Sequence, residues 1–207
     1  MGNAATPFGR LRQDEAVPTE PDTIELSLHE LRDIAGYAAD CARRVLPLFE
    51  QSHPADTRPR DAIDAARTFA GGAPRTAELR KRAWAAYKAA AEAASPAAAD
   101  AARAASHAAA AAYLHPKASA HQVKHILGAA AHAARAEELA HAADAGESAS
   151  GEPASGEARR LAAQALERAR RQAPAAVTTV LGRLPAAPPG GGRVGEFLRI
   201  LDAALRA

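Results

Sequence analysis

Large side chains are scarce in this chain. Aromatic residues supply 4% of its 207 residues, with one tryptophan and one methionine, although hydrophobic residues reach 48%. Alanine makes up much of the difference. It buries little area but is the best helix former, so a core must come from close helix contact and not from bulk. Cysteine is limited to Cys41, which excludes an internal disulfide framework and fits a reducing cytoplasm. No apolar run approaches the length needed to span a bilayer, and the opening residues lack the apolar stretch of a signal peptide. The expected location is therefore cytoplasmic. Strong charge of one sign is also missing: the net charge is +2, too balanced for a nucleic-acid or membrane-surface protein. Nor does any stretch alternate polar and apolar residues as a strand would. The expected fold class is all-α, an antiparallel bundle of about five helices with additional C-terminal helices.

What is present is helix punctuation. Ser27 and Glu30 form a capping box ahead of a helix to Glu50, where serine oxygen and glutamate carboxylate satisfy amides at the helix start. Leu31, Ile34, Ala35, Ala38, Ala42 and Val45 recur at steps of three and four and mark its inner face. His29, Asp33, Tyr37, Asp40 and Arg44 form a second stripe, and Pro47 is expected to kink or close the helix. A second helix begins at Arg58 or Pro59 and stops at Gly71-Gly72, with Arg60 and Asp64 spaced to pair on its outer face. Thr76 caps a third through Ala94, on which Trp84 and Tyr87 are expected in the core or as a lid over the bundle end. Ser95-Pro96 opens a fourth to about Leu114, and a capping box of Ser119 and Gln122 opens a fifth to about Ala145.

The chain accordingly divides into a disordered lead-in (1–23), the bundle (24–146), a linker (147–156) and a helical extension (157–207). The extension holds a basic amphipathic helix over 157–172, a short helix over 175–181, the linker LPAAPPGGGR and a last helix over 194–207. The apolar sides of the last two helices should pack back on the bundle or mediate self-association.

Two constellations could carry chemistry. His121, His125 and His132 lie near one stripe of the fifth helix, with His107 on the helix before it. His107, His121 and His125 are the candidate transition-metal ligands, since an i, i+4 histidine pair plus a third ligand can hold such an ion. Without an HExxH motif or a cysteine partner, solvated or hydrogen-bonded edge histidines are the plainer reading, and no cofactor is predicted. The second set gathers if the first, second and fourth helices converge. His29, Asp40, His107 and His125 are then candidate catalytic groups, and Arg44, Arg58, Arg60, Asp64 and Arg67 candidate binding residues for a small anionic ligand. The plainer alternative is an ion-pair network fixing helix register. Paired-metal nuclease chemistry is excluded, because the acids stand singly on different helices and the basic excess is confined mostly to Arg159, Arg160, Arg168, Arg170 and Arg171. Cys41, beside the apolar face with no histidine within a turn, reads as a small buried hydrophobe.

The runs AADCARRVLPLFE, DTRPRDAIDAARTFAGG, RKRAWAAYKAAAEAA, ARAASHAAAAAY and HILGAAAHAARA, in that order and spacing, resemble the actinobacterial putative immunity protein family described as immunity-protein-five-like. The resemblance covers residues 28 to about 140. It implies an all-helical fold and a role in binding and neutralising a toxin, so a protein partner is expected and the balance falls on a binding protein. The alternative is an enzyme for proton transfer, elimination or cyclisation on a small anion, with His107 or His125 as acid or base and Arg58 or Arg60 holding the anion.

Overall fold

The computed structural model describes residues 23–144 and 156–207. The lead-in expected over 1–23 and the linker expected over 147–156 fall almost wholly outside the described residues. Among the described residues there are eight α-helices and no strand: α1 (Leu28–Glu50), α2 (Arg58–Ala70), α3 (Ala77–Ala91), α4 (Pro96–Ala111), α5 (Val123–Asp144), α6 (Gly156–Gln172), α7 (Ala175–Gly182) and α8 (Gly192–Arg206). A single antiparallel bridge joins Thr23 to Lys117.

The helix starts follow local chemistry. Ser27 accepts from the Glu30 amide at 3.1 Å while Glu30 accepts from the Ser27 amide at 2.8 Å, closing the capping box. Ser95 caps α4 through the Ala98 amide, with Pro96 in the first turn. Pro47 lies inside α1, which ends three residues later at Glu50 as its expected span has it, so the proline removes one bond, to the Arg43 carbonyl, close to the end of the helix. One expectation is corrected. Ser119 and Gln122 form no reciprocal box: Ser119 accepts from His121, Gln122 accepts from the His115 amide at 3.1 Å, and a 3-10 turn over Ala120–Gln122 precedes α5.

α4 is the centre. It packs against α1, α2, α3 and α5, and ten of its alanines are buried. A helix that is apolar over most of its surface belongs in the middle of a bundle, and the face of α4 left polar carries Asp100, Arg103 and His107. Helix axes normally sit about 8–10 Å apart depending on the side chains between them, and alanine on both surfaces favours the short end. Ser106, on α4, donates to the Ala83 carbonyl at 2.8 Å and ties α4 to α3. Larger side chains fill the flanks: Ile34, Val45 and Phe49 from α1, Ile63 and Phe69 from α2, Ile126 and Leu127 from α5. Tyr37 joins this core beside Cys41 and not the polar stripe of α1.

The extension packs back on the bundle. α6 and α8 lie on α5 and α7 on α1, burying Leu166, Val177, Leu181, Phe197 and Leu201. The proline- and glycine-rich run before α8 is ordered by its own contacts: Asp202 accepts from the Ala187 amide at 2.8 Å, and Arg199 donates to the Gly190 carbonyl at 2.7 Å.

Candidate functional site

Two antiparallel stripes meet where α4 crosses α5. Asp100, Arg103 and His107 stand at steps of three and four on α4, and Gly128, His132 and Arg135 at steps of four and three on α5, so each set shares one face. Asp100, buried at 6% exposure, lies 2.6 Å from His132 Nδ1. A carboxylate only accepts, so Nδ1 carries the shared proton and His132 keeps Nε2 for other partners. Arg103 approaches the same carboxylate at 3.6 Å. The His107 ring stacks on His132 with centroids 5.0 Å apart and planes at 24°. Its other flank rests on Gly128, where a Cβ would lie 2.6 Å from His107 Nδ1. That nitrogen is sealed from solvent and has no hydrogen-bond partner among the described residues. Burial pushes the His107 imidazole down to about 3, helped by the neighbouring His132, His125 and Lys124, so the ring is neutral at pH 7.

One turn further along α5, Glu138 is fully buried. Arg135 of α5 and Arg193 of α8 both donate to it, Arg193 at 2.6 Å through Nη2. Arg193 also bonds Glu196 at 2.8 Å, and its guanidinium lies 4.4 Å from the centre of the Phe197 ring. A buried carboxylate needs paired, hydrogen-bonded cations, and two arginines from two helices supply them. The result is a cleft of about 480 Å³ between α4, α5 and the start of α8, lined by Asp100, Arg103, His107, Lys124, Gly128, His132, Arg135, Gly191, Arg193, Val194, Gly195 and Leu198.

The other candidates lie elsewhere. His29 is exposed, 3.6 Å from Asp33. Asp40 pairs with Arg67 at 2.9 Å, Asp64 with Arg43 at 2.6 Å, and Arg60 with Glu50 at 2.7 Å. Arg60 and Asp64 therefore do not pair with each other as their spacing suggested, because α1 offers each a partner across the helix interface. Arg58 binds Asp56 and Glu92, and Arg44 donates to Gln172 of α6 at 2.8 Å. These groups form separate ties between elements, and among these candidates only His107 lines the cleft. His121 is exposed, while His125 is partly buried with its imidazole lowered by burial and by Lys124. Among the described residues no three His, Cys, Asp or Glu side chains are grouped to hold a metal ion.

Asp100, Arg103, Arg135, Glu138 and Arg193 were missed as site residues from the sequence. The signal was there, in matched polar stripes on two alanine-rich helices, each interrupting an otherwise apolar surface.

A second feature sits on α3. Leu79, Ala83, Ala86 and Ala90 take the inward face, so Trp84 and Tyr87, one position on from Ala83 and Ala86, turn outward. They are 59% and 52% exposed and stack with centroids 5.3 Å apart. This corrects their expected place in the core or over the bundle end. Arg80, Lys81 and Lys88 are exposed around them. Tryptophan, tyrosine and arginine are the residues that dominate protein-interface energetics.

The fold is an all-helical bundle with an exposed aromatic and cationic helix face and a charged cleft. The chain is a member of the family described as Imm-5 like putative immunity protein, whose model matches residues 24–149. No curated protein and no solved structure matches it. No helix among the described residues is long and apolar enough to cross a membrane.

Proposed function

We propose that this protein is an immunity-type binder that neutralises a protein toxin, and that the outer face of α3 is its docking surface. Family membership supports a protein partner. The observation that carries the choice of surface is the exposed Trp84–Tyr87 stack beside Arg80, Lys81 and Lys88. The other large hydrophobics exposed among the described residues, Leu28 and Ile200, stand on different helices. Stacked rings are already ordered, so docking them costs little side-chain entropy, and the surrounding cations favour an acidic surface on the partner.

The enzyme alternative receives less support. Its anion-holding residues, Arg58 and Arg60, are engaged with Asp56, Glu92 and Glu50 and do not line the cleft that holds His107.

The test is calorimetric titration of the full chain with a candidate toxin, sought among proteins encoded near its gene. Replacing Trp84 and Tyr87 together by alanine should weaken binding by roughly 2–4 kcal/mol. The melting temperature should barely move, since exposed positions away from special contacts usually contribute within about 0.5 kcal/mol. Unchanged affinity in the double variant would remove α3 as the docking face.

A further inference from the structure

We infer that the cleft between α4, α5 and the start of α8 binds a compact oxyanion, a phosphate or carboxylate group carried on a small molecule. This is a site separate from the aromatic face of α3, and it rests on nothing argued for that face.

Three features converge there. The first is a small excess of positive charge drawn from three helices. Arg103, Lys124, Arg135 and Arg193 line the cleft. The carboxylates against them are Asp100, which is engaged by His132, Glu138, buried behind Arg135 and Arg193, and Glu196 at the edge. Lys124 is exposed and has no carboxylate partner among the described residues. Arg103 reaches Asp100 only at 3.6 Å, so most of its donors are unspent. Guanidinium groups present paired donors that match carboxylate and phosphate oxygens, and they bind such groups through short, charge-assisted bonds.

The second feature is the start of α8. This helix of 15 residues opens on Gly191, which has φ 75° and no side chain with which to cap it. The Gly195 amide bonds the Gly191 carbonyl at 2.9 Å. The amides of Arg193 and Val194, earlier in the same turn, have no acceptor within the helix, and both residues line the cleft. Unpaired amides and the positive end of the helix dipole favour an anion. Glycine at 195 is what brings this turn together: a Cβ there would sit 2.0 Å from the Gly190 carbonyl oxygen.

The third feature is independent of charge. His107 and His132 both line the cleft, and each retains unused hydrogen-bonding capacity. The Nδ1 of His107 is sealed against Gly128, and its Nε2 has no hydrogen bond among the described residues. Asp100 occupies the Nδ1 of His132 and leaves Nε2 for a ligand. Two imidazoles beside three guanidiniums and an amide turn make a donor set suited to an oxyanion.

The experiment titrates inorganic phosphate into the ¹⁵N-labelled full chain at constant ionic strength, followed by amide shifts and calorimetry, with succinate in a parallel arm. Saturable shifts at residues 191–195, at phosphate concentrations up to roughly 10 mM, support the site. The combined R103Q and K124Q variant should weaken binding roughly tenfold or more. These side chains are at the rim, so the variant should keep its melting temperature. R60Q removes one positive charge outside the cleft and should leave affinity unchanged. Saturation by phosphate alone assigns a phosphoryl ligand, and saturation by both assigns a general oxyanion site. The proposal is overturned by shifts that never saturate, by shifts that ignore R103Q and K124Q, or by an equal loss in R60Q, which would mean simple charge screening.

Discussion

The first five helices and the last three are joined by different chemistry. Within α1–α5 the centre is α4, whose ten buried alanines leave almost no side chain to move aside, and ion pairs such as Asp40–Arg67 and Asp64–Arg43 stand at the exposed margin. The annex of α6–α8 has fewer, larger apolar anchors, such as Phe197 and Leu201. It is also tied across by charged and polar groups: Arg193 to Glu138, Arg168 to Glu137, Arg44 to Gln172, and Arg183 to Glu30. A small-residue interface is intolerant of added volume, because packing at interior density has nowhere to put it. An ion-paired interface is intolerant of losing one partner, because the remaining charge stays buried.

The largest effect should come from breaking the charge clamp. Glu138→Ala removes the buried carboxylate that Arg135 and Arg193 share, leaves both arginines partly exposed to water, and should cost about 2–4 kcal/mol. Amide exchange would show α8 losing protection first, with α4 spared. A loss below about 1 kcal/mol, or one spread evenly over both regions, would mean that the apolar anchors alone hold α8. Next comes added volume. Gly128→Ala places a methyl group 2.6 Å from a histidine ring already hemmed in by His132. It should destabilise by about 1–3 kcal/mol, despite the gain of roughly 1 kcal/mol that alanine brings to a helix interior. A denaturation midpoint at or above that of the unsubstituted protein would show that His107 has somewhere else to go.

The last effect is a slope against pH. His107 has its folded pKa lowered to about 3 from an ordinary 6.5. Below 6.5 the unfolded chain takes up a proton that the folded chain refuses. This group's contribution is therefore complete above pH 6.5 and is lost as pH falls toward 3, by at most about 1.4 kcal/mol per pH unit. His107→Gln should flatten the fall in stability between pH 6.5 and 4. An unchanged slope would assign acid sensitivity to other groups.

Much of the fold was legible because its determinants are local. Ser27 with Glu30, Ser95 with Pro96, and the Gly71-Gly72 pair mark helix ends within a residue or two of where they fall. Trp84 and Tyr87 were misplaced because hydrophobic type was weighed above position, although Leu79, Ala83, Ala86 and Ala90 already complete an inward stripe. The cleft was less legible for a different reason. Which of two polar stripes face each other depends on the crossing of α4 and α5, and no spacing within one helix reveals that. Glu138 and Arg193 are 55 residues apart, and nothing local to either announces the other.

Trp84 is the one tryptophan of the chain, and it stands in water on the outer surface of α3 instead of in the interior. The intrinsic fluorescence of this protein is therefore a surface signal and a poor gauge of its core. Unfolding should scarcely shift the emission maximum, whereas anything that covers α3 should move it to shorter wavelength. The protein carries a built-in optical probe at the face where a partner would arrive, and it needs no label to report the encounter.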